Sequence, residues 1–69
     1  MGLQQIVWEI VCRENREMTL DEIYHWATER YPTRKSVVKG QLTRLVKKGA
    51  VEALGDEKYR CKKPPEPQQ

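Results

Sequence analysis

The sequence predicts a mainly α fold with a small β-hairpin, an α+β domain of three helices followed by two strands. Three observations carry that reading. Apolar residues recur at helical period in three successive segments, a helix-capping sequence stands at residues 19–22, and side-chain character alternates strictly over residues 58–62. The length of 69 residues suits one domain, and a 38% apolar content with two Trp, three Tyr and no Phe suits one small core. Chains this short seldom draw more than about 3–5 kcal/mol from such a core. A large buried active-site cleft is therefore not expected.

The first helix is expected over residues 3–13. Leu3, Ile6, Val7, Ile10 and Val11 fall at i, i+3, i+4, i+7 and i+8, one apolar stripe along a helix. Trp8 and Cys12 lie four apart beside it. They either widen the core face or form a second, exposed strip through which the helix could meet a second copy of the chain. Arg13 to Glu17 has no apolar residue and reads as a connection.

The second helix is expected to begin at Thr19. Thr19-Leu20-Asp21-Glu22 fits a capping box, in which the Thr hydroxyl accepts from the N–H of residue 22 and the Glu carboxylate accepts from that of residue 19. Met18 and Ile23 occupy the hydrophobic-staple positions, and Asp21 and Glu22 suit the positive end of the helix dipole. Leu20, Ile23, Ala27 and Tyr31 supply the buried face, with Tyr24 or Trp26 flanking. Pro32 ends the helix, because the residue before proline is pushed out of helical geometry.

Thr33 is expected to cap a third helix over about 34–48, with Val38, Leu42 and Leu45 buried and Val46 beside them. Gly49, after Lys47 and Lys48, suits a left-handed C-terminal cap. Residues 50–54 and 58–62 then read as two strands around Gly55-Asp56-Glu57. Lys58, Arg60 and Lys62 face one way and Tyr59 and Cys61 the other. A lone hairpin is marginal in water, so Tyr59 and Cys61 are expected to pack on the helices. Met18-Thr19 could add a short third strand. The Pro-rich residues 63–69 read as a flexible tail after a domain of residues 1–62.

Charge is unevenly placed. Residues 1–33 carry net −3, residues 34–48 carry +6 with no acid, and residues 49–69 carry zero. An acid-free cationic segment is either a solvated helix face or the footprint of a polyanion site. On a helical wheel with Val38 at the core, Ser36, Gly40, Thr43 and Lys47 point outward, Lys39 and Arg44 flank them, and Arg34 and Lys35 lie in the first turn. Lysines and arginines neutralise phosphates or donate to guanine, and the hydroxyls of Ser36 and Thr43 suit phosphates or base edges. Gly40 in a helix interior costs about 0.5–1 kcal/mol against Ala. It is either tolerated or marks close backbone approach to a ligand.

Other chemistry has little to build on. Three Cys or His residues fall short of the four ligands usual in a structural zinc site, and no cofactor motif or nucleophile–base pair can be assembled. An enzyme is not expected. No apolar run approaches a membrane span, and the first residues show neither a basic segment nor a cleavage site of a secretory leader. A cytoplasmic chain with reduced thiols is the simplest reading, with a Cys12–Cys61 disulfide the alternative. His25 beside Trp26 reads as structural.

The order helix, helix, helix, hairpin, with Tyr31-Pro32-Thr33 as a short turn, resembles the winged helix-turn-helix superfamily. The residues carrying the resemblance are Thr19 to Ile23, Ser36 to Leu45, and above all Leu42-Thr43-Arg44-Leu45-Val46-Lys47-Lys48-Gly49-Ala50-Val51. It extends over residues 3–62. The resemblance implies a small transcriptional regulator, cytoplasmic and nucleoid-associated or nuclear, whose third helix lies in the major groove of double-stranded DNA. Such proteins commonly dimerise on two half-sites. The expected contacts are Arg34, Lys35, Ser36, Lys39, Gly40, Thr43, Arg44 and Lys47, with Lys58 and Arg60 from the body of the wing; Asp56 and Glu57 at its tip would repel phosphate. Members that bind left-handed DNA carry an Asn and a Tyr on the third helix and a Pro-Pro-x-Trp wing. Lys39 and Thr43 occupy those helix places here and the wing lacks that sequence, so that activity is not implied. The superfamily also includes protein-interaction modules that do not touch DNA, the alternative reading for this chain.

Overall fold

The computed structural model describes residues 2–65. The chain runs through α1 (Leu3–Glu14), β1 (Met18–Thr19), α2 (Leu20–Arg30), α3 (Lys35–Lys47), β2 (Val51–Gly55) and β3 (Lys58–Cys61). This is the predicted α+β layout, three helices and a small antiparallel sheet arranged like a winged helix. The sheet order is β1-β3-β2, so the last strand is central and the two-residue β1 covers its free edge. Met18 stands opposite Tyr59, and Ala53 opposes it from the other side.

The helix ends follow their sequence signals. The hydroxyl of Thr19 accepts from the Glu22 N–H at 3.2 Å, and Glu22 Oε1 accepts from the Thr19 N–H at 3.1 Å, so the capping box is complete. The staple residues Met18 and Ile23 are both fully buried. At the end of α3, the Gly49 N–H donates to the Val46 carbonyl and the Ala50 N–H to that of Leu45, each at 3.0 Å. With Gly49 at φ 80° this is a Schellman cap, which satisfies the last carbonyls and turns the chain into β2.

The core joins the stripes of all three helices to the sheet. Ile6, Val7, Ile10 and Val11 of α1 meet Leu20, Ile23 and Ala27 of α2 and Val38, Leu42 and Leu45 of α3, with Met18, Ala50, Val51 and Tyr59 closing the far side. Trp8 packs at the edge, and its indole N–H donates to the Lys63 carbonyl at 2.8 Å. The Lys63 N–H in turn donates to the Ala50 carbonyl at 3.0 Å, so the expected tail begins with a tethered residue. Residues 66–69 of that expected tail lie outside the described residues.

Three expectations are corrected. Tyr31 does not complete the buried face of α2. The helix ends at Arg30, Tyr31 is extended at φ −152°, and the residue is 46% exposed. Arg34 rather than Thr33 is the N-cap of α3, and no side chain caps that end. Cys12 and Cys61 are not free thiols but form a disulfide between α1 and β3. Among the described residues, no helix is long and apolar enough to cross a membrane.

Candidate nucleic-acid interface

Packing of Val38, Leu42 and Leu45 fixes the rotation of α3 about its axis. The opposite side is therefore exposed and holds Ser36, Gly40, Thr43 and Lys47, with Lys39 and Arg44 flanking them, while Lys35 is exposed in the first turn. Arg34 is exposed at the helix start. All eight residues expected on this segment are thus brought to one helix and left open to solvent. Its last turn carries Arg44 and Lys47, where cations also complement the helix dipole. A Cβ built on Gly40 meets nothing within 4 Å, so the helix surface has an open notch midway along this face.

The acids that the linear charge pattern could not place come from other elements. Lys35 Nζ pairs with Asp21 in the first turn of α2. The hydrogen bond to Asp21, then the charges of Asp21 and Glu57, hold the Lys35 ammonium above its ordinary pKa. Lys39 Nζ lies 3.8 Å from Glu57 at the hairpin turn. The wing tip therefore flanks the N-terminal half of α3 and offsets some of its charge. Among the described residues, Arg34, Arg44 and Lys47 make no ion pair, so the uncompensated cations stand at the helix start and toward its C-terminal half.

The hydroxyls are placed differently from one another. Thr43 Oγ1 donates to the Lys39 carbonyl one turn back at 3.0 Å, leaving its lone pairs to accept from a ligand. Ser36 is exposed and makes no side-chain hydrogen bond among the described residues.

The body of the wing is partly neutralised. Lys58 Nζ lies 3.3 Å from Glu17, and Arg60 stands opposite Glu52 across the β2–β3 ladder. Leu54 is the extra residue of a bulge between Ala53 and Gly55 and is 40% exposed. The turn itself is Asp56-Glu57, at φ 52° and 57°.

Sequence reasoning missed Val37, which is 43% exposed on α3. Seven residues before Arg44, it projects from nearly the same side of the helix. The same helical wheel that places the cations carries this signal. Away from α3, the Trp8–Cys12 strip proposed for a dimer is engaged by Lys63 and Cys61 of the same chain. Comparison with protein families, curated proteins and solved structures found no match to this chain.

Proposed function

We propose that this chain binds duplex DNA by laying the exposed face of α3 in the major groove, as a small transcriptional regulator of winged-helix type. The observation that carries the reading is an outward α3 face without a single acid, bearing Arg44 and Lys47, which make no ion pair among the described residues, around the open notch at Gly40. Arg44 and Lys47 suit phosphates or guanine edges, and Arg44 alone offers the planar fork for bidentate recognition. Lys35 and Lys39 join them by exchanging Asp21 and Glu57 for phosphate. Both pairs are solvent-exposed, and such pairs hold their partners weakly. Lys58 and Arg60 give secondary support from the wing. This is a binding role without cofactor or catalysis.

The test is duplex affinity against salt. Counterion release predicts that log affinity falls linearly with log salt, with a slope of roughly −0.9 per phosphate neutralised. Lys39→Glu with Arg44→Glu should abolish binding while leaving the circular dichroism unchanged, since both side chains are exposed. A flat salt response, or full binding by the folded double variant, overturns the proposal.

A second reading is a protein-interaction module. One observation favours it: Trp26 is 42% exposed on α2, with the Arg13 guanidinium 5.9 Å from its ring centroid, an anchor of the kind that interfaces use. Retention of a protein partner after nuclease treatment, lost in Trp26→Ala, distinguishes this reading from the first.

A further inference from the structure

We infer that α3 reads base identity through Val37 and Arg44 together, selecting duplexes in which a thymine methyl and a guanine lie within about three base-pair steps. The inference rests on the proposal that α3 enters the major groove, and it names the sequence class that such a helix would choose.

A single exposed valine on a protein surface is ordinary. This one is informative because of where it stands. At roughly 100° per residue, Val37 and Arg44 project within about 20° of one another, with Gly40 between them along the axis and turned about 40–60° further out. Val37 is 43% exposed and lies outside the buried core, so packing within the domain does not account for an apolar side chain here. Valine is also a weaker helix former than the lysines and glutamine around it, because its branched Cβ crowds the preceding turn. What the position offers is a compact apolar surface beside a guanidinium.

The major groove displays the two complementary features. The thymine C5-methyl is the apolar group of that edge, and guanine O6 and N7 are the acceptor pair that a planar guanidinium matches. The missing side chain at Gly40 brings the backbone between the two readers nearer the base edges. Seven residues of α-helix span about 10.5 Å. Stacked bases are about 3.4 Å apart. A helix lying along the groove thus sets the two contacts about three steps apart, and an inclined helix sets them closer. Ser36, Thr43 and Lys47 point more directly outward and remain for the adjoining base edges and phosphates.

The full chain is first used to select duplexes from a random pool. Affinity is then measured for the selected duplex, for a version with deoxyuridine replacing thymidine, and for one with 7-deazaguanine replacing guanine. Removing the methyl should weaken wild type about fourfold, the worth of one buried methyl-sized group. Removing N7 should weaken it about fivefold, the lower end of a bidentate base contact. Val37→Ser should be indifferent to the methyl and Arg44→Ala to N7, while each keeps the other sensitivity. Equal affinity of wild type for the thymidine and deoxyuridine duplexes, or a methyl effect that survives in Val37→Ser, overturns the inference and leaves groove binding standing. A chain with no salt-dependent duplex affinity overturns both. The wild-type comparison of thymidine with deoxyuridine decides the question even if a variant misfolds.

Discussion

Cys12, in the last turns of α1, and Cys61, at the end of the central strand β3, are joined by a disulfide with their Cα atoms 4.7 Å apart. The link fastens the final strand of the sheet to the first helix, so the two ends of the domain close on each other. The Trp8 indole reinforces the same junction through the Lys63 carbonyl. A core of aliphatic side chains with Met18 and Tyr59 gains from this closure, since small domains hold little stability in reserve.

Reduction should therefore be costly. The bond closes a loop between residues 49 positions apart. The chain-entropy relation gives about 4 kcal/mol for a loop of that size, acting through the unfolded state. Urea unfolding with and without reductant measures it. The midpoint should fall sharply, and the slope should rise because the reduced unfolded chain exposes more surface. A midpoint shift equivalent to less than about 1 kcal/mol would show that the loop-entropy account does not hold for this domain.

Acid should act through Glu22. The Arg16 guanidinium, 3.0 Å from Oε2, and then the Thr19 N–H hold its carboxyl below the usual carboxylate range. A pKa lower in the folded state than in the unfolded state adds stability at pH values above the unfolded value, near 4.3. That contribution is lost as pH falls through the folded pKa. Glu22→Gln should be less stable than wild type at neutral pH, and the gap should close on acidification below about pH 4. Thermal unfolding of the pair across pH 3–7 checks this; a gap that stays constant or widens in acid contradicts it.

These features differ in how far one dimension reveals them. The capping box at Thr19 and Glu22 and the turn at Gly49 were legible because each depends on residues close in sequence. The cationic face of α3 was legible because helical period fixes direction once Val38, Leu42 and Leu45 are buried. Tyr31 fits that period by sequence but stands one residue past the helix end, where extended backbone swings the ring outward. The helix start at Arg34 turns on one residue's backbone angles, and Thr33 carried the stronger capping chemistry. The pairs Lys35–Asp21, Lys39–Glu57 and Cys12–Cys61 join elements distant in the chain. No local pattern specifies them, because tertiary packing creates their proximity.

Gly40 separates folding from binding. It sits on the exposed face of α3 with open space where a Cβ would be. Gly40→Ala should raise stability by about 0.5–1 kcal/mol, since alanine loses less backbone entropy in a helix. If the bare backbone approaches the base edges as proposed, the same methyl should weaken duplex binding. Thermal melts and duplex titrations of one variant read the two effects. A stabilised variant with unchanged affinity would make Gly40 a tolerated residue rather than a contact.

Glu57 carries both a conformational cost and an electrostatic one. Asp56 and Glu57 form a two-residue turn between the paired residues Gly55 and Lys58, and both have positive φ. Such tight hairpin turns favour glycine at the second position, because a side chain in the left-handed region crowds its own carbonyl. Glu57→Gly should relieve about 1 kcal/mol of that strain. Part of the gain is offset by the greater freedom of glycine in the unfolded chain. The backbone bond from the Leu20 N–H to the carbonyl of residue 57, 2.8 Å long, needs no side chain and should persist. The substitution also frees Lys39, now 3.8 Å from the carboxylate, to meet phosphate. Glu57→Gln removes the charge but keeps the strained backbone. Both variants should therefore bind duplex more tightly than wild type, with the advantage shrinking as salt rises, whereas only Glu57→Gly should melt higher. If Glu57→Gln leaves affinity unchanged while Glu57→Gly still gains stability, the wing-tip acid is a turn residue with no bearing on the α3 surface.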